Sequence, residues 1–341
     1  MTPNTINGQR LRLQHQRGIS IVEILVGLAI ALIGTIIMFQ MMENWSERKR
    51  TTAAGSDAQI SGALAMYSLE RDIKQAGYGF AGAYQASTLY AGCNVSATTP
   101  YLLAPLVITD GAGGAPDTIT TLYGVSTAMS SSQSLVSSFA AGGTSMTLNY
   151  EAGIRNGDQL IVASSAANCA QVSVTAAPTS VTINVAAPAG FAAAGGSVYN
   201  MGGQPVRNQW SVQNGRLTSI NTLLAGAAVA EVAEGVINIQ AQYGLDTDAN
   251  SVVDTWQSTA PNWTQLRAVR IGVVARSQQY EKLIVTSTAP SWSGGAFTMT
   301  HLDGSAGGGA HTNPTQDWRH YRYRVYETTI PLRNAIWGSS P

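Results

Sequence analysis

The stretch that decides the fold is Arg17-Gly18-Ile19-Ser20-Ile21-Val22-Glu23-Ile24-Leu25-Val26-Gly27-Leu28-Ala29-Ile30-Ala31-Leu32-Ile33-Gly34-Thr35-Ile36-Ile37-Met38-Phe39. From Ile24 to Met42 it carries 19 residues without a formal charge. As a helix these cover about 28 Å, just enough to cross a hydrocarbon core of about 30 Å. A cleaved secretory signal would place a small-residue site after its apolar core, whereas Glu43-Asn44-Trp45-Ser46 follows here. The segment therefore reads as a retained membrane anchor. Before it, Arg10, Arg12 and Arg17 are unopposed by any acid; beyond it, Arg48, Lys49 and Arg50 are accompanied by Glu43 and Glu47. That asymmetry predicts a cytoplasmic leader and an exported remainder.

Glu23 is the informative residue. An acid inside a span costs about 2.5–3.5 kcal/mol on insertion scales, so it usually has a partner. The plainer alternative is a carboxylate near the membrane surface, eased by the helix N-terminal dipole. A basic leader, Gly18, an apolar residue and Glu23 at the fifth position after the glycine resemble the class III signal of type IV prepilins and pseudopilins. The resemblance implies that a dedicated membrane peptidase cuts between Gly18 and Ile19 and methylates the new amine. It also implies that Glu23 pairs with the amine of Ile19 on a neighbouring subunit. Two opposite charges, each costly alone in lipid, become tolerable when packing joins them.

Residues 1–18 thus form a leader and 19–76 one long helix, its transmembrane part about 19–42. Ile60, Leu64 and Tyr67 keep one helical spacing; Met66, Leu69, Ile73 and Ala76 keep another. Gly77-Tyr78-Gly79 supplies a stop, and Gly55 and Gly62 are places where the helix could break. From about Leu89 the period changes to two, and residues 77–341 read as a β-rich head, with 125–205 as a candidate inserted lobe. Expected strands are 118–123, 145–150, 159–163, 171–175, 180–185, 197–201, 235–243, 266–276, 282–286 and 321–331. The fold class is α+β: a pilin-like, long N-terminal membrane-spanning helix packed on an antiparallel β-rich globular head.

The chain has 341 residues, 19 basic and 19 acidic, and only 11% charged, against roughly 25% in soluble domains. Zero net charge gives no support to nucleic-acid binding. Cys93 and Cys169 are the only cysteines; an oxidising compartment favours their pairing, and two separate buried thiols are the alternative. Asp246, Asp248, Asn250 and Asp254 place side-chain oxygens at positions 1, 3, 5 and 9 of a loop, with the Val252 carbonyl at position 7. That alternation suits Ca²⁺, but Ser251 replaces the expected glycine and Gln257 the closing glutamate. An Asp/Asn-rich turn is the preferred reading, and Ca²⁺ is the one cofactor left open. His301 and His311 flank a glycine-rich loop without metal-ligand spacing, and no catalytic triad is recognisable. Arg319, His320, Arg322 and Arg324 alternate with Trp318, Tyr321, Tyr323 and Tyr326; a strand with one polar and one packed face explains that pattern without a ligand.

Several segments narrow the resemblance. Leu69–Gly79, Gly157–Ile161, Glu234–Val236 followed by Gln242–Asp246, and the ending Tyr323–Asn334 are similar to PilW-type minor pilins. That likeness implies a low-abundance type IV pilus subunit that primes assembly and sits near the filament tip, and no enzyme. Its implied partners are other minor pilins, the major pilin, a tip adhesin, the prepilin peptidase and the inner-membrane assembly platform. Its implied location is the inner membrane, head periplasmic, and then the pilus. A minor pseudopilin of a type II secretion system shares the leader, Glu23 and β-rich head; a membrane-anchored exported enzyme is the remoter rival.

Overall fold

The computed structural model describes residues 18, 20–80, 92–127, 133–150, 153–165 and 167–334, without the side chains of 44, 46–48 and 50–54. Helix α1 spans Ile21–Gln75, and the chain divides into two compact units, Met1–Thr52 and Ala53–Pro341. In the first unit no residue of the apolar run Ile21–Glu43 is buried, and its mean hydropathy is 2.6. A helix apolar all round has no water-facing side and belongs in lipid or among other helices.

In the second unit, α1 presents Ala58, Ala65, Met66, Leu69, Ile73 and Ala76 to the head, while Ile60, Leu64 and Tyr67 face outward. Of the two spacings in the sequence, the one ending at Ala76 is thus the core face. Burying Leu69 or Ile73 contributes about 1.5–3 kcal/mol each. The helix does not break at its glycines. Gly62 is instead a point of close approach: a Cβ there would lie 2.2 Å from Cε2 of Tyr326, whose hydroxyl donates to the Gln59 carbonyl at 2.8 Å. The helix ends where Gly77 turns at φ 84° and its N–H donates to the Leu122 carbonyl at 2.8 Å. From the far end of the chain, the Asn334 amide donates to the Gln75 and Ala76 carbonyls, at 3.2 and 3.0 Å. These caps satisfy carbonyls that a helix end leaves unpaired.

The sheet under α1 has the antiparallel order Thr255–Gln257, Val236–Leu245, Leu266–Arg276, Tyr323–Pro331. Ile239, Ala241, Tyr243, Val269, Ile271, Val273 and Ile330 share one core with Leu69 and Ile73. A second sheet runs Ala230–Glu234, Arg216–Asn221, Val206–Gln213, Thr118–Tyr123, Leu106–Thr109. Its longest hairpin turns at Asn214-Gly215, both at positive φ (51° and 72°), as a tight turn matched to strand twist requires. A third, eight-stranded sheet encloses a separate core of Leu135, Leu148, Leu160, Val162, Val172 and Ile183. It draws in Asn94–Ser96 and Tyr101–Leu102 as well as strands from 133–200. Cys93 and Cys169 are disulfide-bonded where Val95 pairs with Cys169 in parallel register.

Two expected strands need correction. Residues 282–286 form no strand: the Val285 and Thr286 amides both donate to the Arg319 carbonyl, at 3.0 and 3.1 Å, and Leu283 and Ile284 are left exposed. The last strand begins at Tyr323 rather than Tyr321, because Asp317 caps a 3-10 turn at Trp318–His320 by accepting from the Arg319 amide.

Asp72 joins helix and sheet. Its carboxylate, 6% exposed, accepts from Thr121 Oγ1 (2.5 Å), Trp210 Nε1 (2.7 Å), Tyr123 Oη (2.9 Å) and Asn208 Nδ2 (2.9 Å). Replacing it strands several buried donors, each costing about 1–3 kcal/mol. Asp72→Ala is therefore expected to lower unfolding free energy by about 3 kcal/mol or more in denaturant titration; a loss within about 0.5 kcal/mol, the range of an ordinary surface change, would show the cluster to be dispensable.

Candidate functional site

The anchor begins with a cap. Ser20 Oγ accepts from the Val22 amide at 3.3 Å, and the Glu23 and Ile24 amides donate to the Ser20 carbonyl at 3.0 and 3.2 Å. Ser20-Ile21-Val22-Glu23 is thus a capping-box pattern, placing Glu23 three residues inside the helix start. Sequence reading saw the acid and missed the serine that starts the turn beneath it. Glu23 is exposed and is the only charged residue from Ile21 to Met42. At that place the helix N-terminal dipole favours a carboxylate, and within an apolar run a cation from outside the helix would offset its charge as well. Gly18 is exposed; Ile19 and leader residues 1–17 lie outside the described residues.

The acidic loop brings carboxylate oxygens of Asp246, Asp248 and Asp254 within 4.8 Å of one another. Those oxygens are occupied internally. Asp246, nearly fully buried, accepts from the Asn250 and Ser251 amides at 3.0 Å each and pairs with Arg267 Nη2 at 3.2 Å. Asp254 accepts from the Thr247 amide at 2.8 Å. Hydrogen bonds from Thr255 and Thr247 hold its carboxyl below the usual range. Asn250 is taken by Asp248 and by the Val252 amide, and Ala249 and Ser251 adopt positive φ. This is a turn closed by an arginine.

Arg319 and Arg322 of the basic and aromatic cluster are also matched internally. Arg319 pairs with Asp317 at 2.7 Å, and Arg322 grips Glu281 through Nε and through Nη2 at 3.1 Å. His320 stacks on Tyr280, with ring centroids 5.3 Å apart, and its Nδ1 lies 2.8 Å from the Glu281 carbonyl. The expected strand face of His320, Arg322 and Arg324 does not form, since His320 belongs to the capped turn. The histidines are a further departure: the turn at Gly304 brings His301 and His311 together, ring centroids 4.9 Å apart.

An apolar N-terminal helix thus precedes an antiparallel β-rich head. Residues 211–334 match the family model of Type IV Pilus-assembly protein W, PilW. The resemblance read from Glu234–Val236, Gln242–Asp246 and Tyr323–Asn334 falls within that match; Leu69–Gly79 and Gly157–Ile161 lie outside it. A solved type IV-like pilin, TTHA1219 from Thermus thermophilus, aligns with 81% of this chain and 96% of its own at 12% identity. Its TM-score of 0.32 is too low to bear on function. No curated protein matches the chain.

Because Arg267 already sits on Asp246, calcium titration of the intact chain is expected to give no saturable heat at this loop. A one-to-one isotherm abolished by Asp248→Ala would show a cation site instead.

Proposed function

We propose that the protein is a minor pilin of the type IV pilus, made with a leader that prepilin peptidase removes between Gly18 and Ile19. The observation that carries this reading is the PilW match over residues 211–334, in a chain whose N-terminal apolar helix bears one acid, Glu23, near its start. In this reading Ile19 becomes an N-methylated terminus, and Glu23 pairs with that amine on an adjacent subunit during assembly. Pairing offsets the desolvation of both charges, and it can form only where two anchors lie side by side. The subunit waits in the inner membrane with its head in the periplasm. It then enters a tip-associated complex with other minor pilins, the major pilin and a tip adhesin, acting as structural subunit rather than enzyme.

Mass spectrometry of the processed chain is expected to find N-methylated Ile19 at its start; a mature protein beginning upstream would overturn the processing step. Glu23→Ala is expected to leave the protein in the membrane but deplete it from sheared surface filaments. Equal recovery of variant and wild type would remove Glu23 from assembly. A wild-type protein absent from filaments but required for protein secretion would point to the pseudopilin role.

A further inference from the structure

The second sheet is hydrogen-bonded to the sheet under α1 at the mouth of one hairpin. Its strands Leu106–Thr109 and Thr118–Tyr123 pair antiparallel, with Ile108 opposite Ile119 and Thr109 opposite Thr118. Continuing that register by one residue brings Asp110 opposite Asp117. Side chains alternate along a strand, so both carboxyl groups start on the face of Ile108 and Ile119, which belong to the core under α1. Asp117 then acts as one residue of an added strand on Val236–Leu245, beyond the stretch that pairs with Thr255–Gln257. Its amide donates to the Ile239 carbonyl at 2.8 Å, and its Oδ2 accepts from the Ala241 amide at 2.7 Å. Oδ1 accepts from the Gly111 amide at 2.9 Å. Asn238 Nδ2 and Gln240 Nε2 reinforce the joint, donating to the Gly114 and Ala115 carbonyls at 3.1 and 2.7 Å.

Like charges directly opposite across a strand pair repel. Here one of them is sealed in: Asp117 is 1% exposed, whereas Asp110 reaches solvent. Asp110 lies within hydrogen-bonding reach of Asp117, and its Oδ2 accepts from the Ser258 hydroxyl at 3.0 Å. Two ionised carboxylates are acceptors only, so they bond to each other only through a proton. Burial pushes the Asp117 carboxyl up to about 6; the Gly111 and Ala241 amides oppose that rise and the charge of Asp110 adds to it. The other side chains at the joint, Asn238, Gln240 and Ser258, are neutral.

From this register and burial we propose that Asp110 and Asp117 hold one proton between them, whose uptake in mild acid locks the hairpin mouth onto the edge of Val236–Leu245 and whose loss loosens that joint. The exposed Asp110 is the proton's way in and out. With the proton bound, an O–H···O⁻ bond joins the two acids and, through Asp110, the loop carrying Ser258. Without it, both Asp117 oxygens stay tied to amides, so Asp110 is the group that swings away. The titration belongs to the pair. The folded chain holds the proton more tightly than the unfolded one, in which an aspartate titrates near 3.9. The pair's contribution to stability is therefore full below about pH 4 and is lost as pH rises through about 6.

The test is thermal melting of the full chain in detergent, free of divalent ions, for wild type, Asp110→Asn and Asp117→Asn. Wild type is expected to melt at least about 3 °C higher near pH 5 than near pH 7.5, beyond any dependence that Asp117→Asn retains. The histidines titrate in the same window but are common to all three chains. Asp110→Asn puts a permanent N–H donor opposite the Asp117 carboxylate, so it should melt above wild type near pH 7.5 and close to it near pH 5. Should Asp117→Asn not fold, the comparison of Asp110→Asn with wild type decides alone. Equal pH dependence in wild type and the variants overturns the proposal, as does an Asp110→Asn that melts no higher than wild type near pH 7.5. So does calcium that raises the melting temperature of wild type there but not of Asp110→Asn, which would put a cation between the acids instead of a proton.

Discussion

The fold of the head depends on where one carboxylate is placed. Asp72 lies on the buried face of α1, and its four donors come from two neighbouring strands of the second sheet, Thr118–Tyr123 and Val206–Gln213. A buried carboxylate is tolerable only when fully hydrogen-bonded, so the four donors admit one rotation and one height of the helix. A shift of one residue turns a helical side chain by about 100° and loses all four. With Asp72 fixed, the neighbouring positions follow. Gly62, ten residues earlier, comes beneath the Tyr326 ring, and the helix end meets the Leu122 carbonyl and the Asn334 amide. Hydrophobic burial supplies most of the stabilisation, but apolar contacts slide easily; the polar cluster specifies which of several similar packings is adopted.

That division explains what the sequence revealed. The anchor, the length of α1 and the strands 118–123 and 266–276 were legible because each is a long run with one dominant period. The hairpin at Asn214-Gly215 was equally legible and went unread, though its dipeptide is among the strongest turn signals. The segment 282–286 misled for the opposite reason. Leu283-Ile284-Val285-Thr286 has every strand preference, but its backbone is claimed by the Arg319 carbonyl, and local propensity yields to such tertiary bonds. Of the candidate site, Glu23 was visible as an isolated charge, while Asp72 looked like one polar residue among several on an amphipathic helix. Its partners lie 49 to 138 residues away, and no spacing rule reaches that far.

The histidines and the acidic loop make the same point in chemical terms. Asp246–Asp254 is contiguous, so its alternation of oxygens looks like a coordination sphere on paper. Folding then places Arg267 against Asp246 and turns backbone amides onto the same carboxylates. His301 and His311 are ten residues apart with no recognisable ligand spacing, yet the turn at Gly304 brings their rings together at a tilt of 55° and leaves one ring nitrogen unsatisfied. Linear spacing counts the donors, whereas the availability of their lone pairs depends on neighbours supplied by other strands.

Charge neutrality also takes on a different meaning. Removing Arg10, Arg12 and Arg17 with a leader leaves 16 basic against 19 acidic side chains, so the balance at the outset includes an address the working subunit would lack. Within the head, Arg216, Arg267, Arg319 and Arg322 are each committed to an internal carboxylate. Charges paired at contact distance cancel beyond a Debye length of about 8–10 Å and give little long-range steering. Along its helix the second unit exposes the apolar Ile60, Leu64 and Tyr67 at successive turns, among the charged Asp57, Arg71 and Lys74.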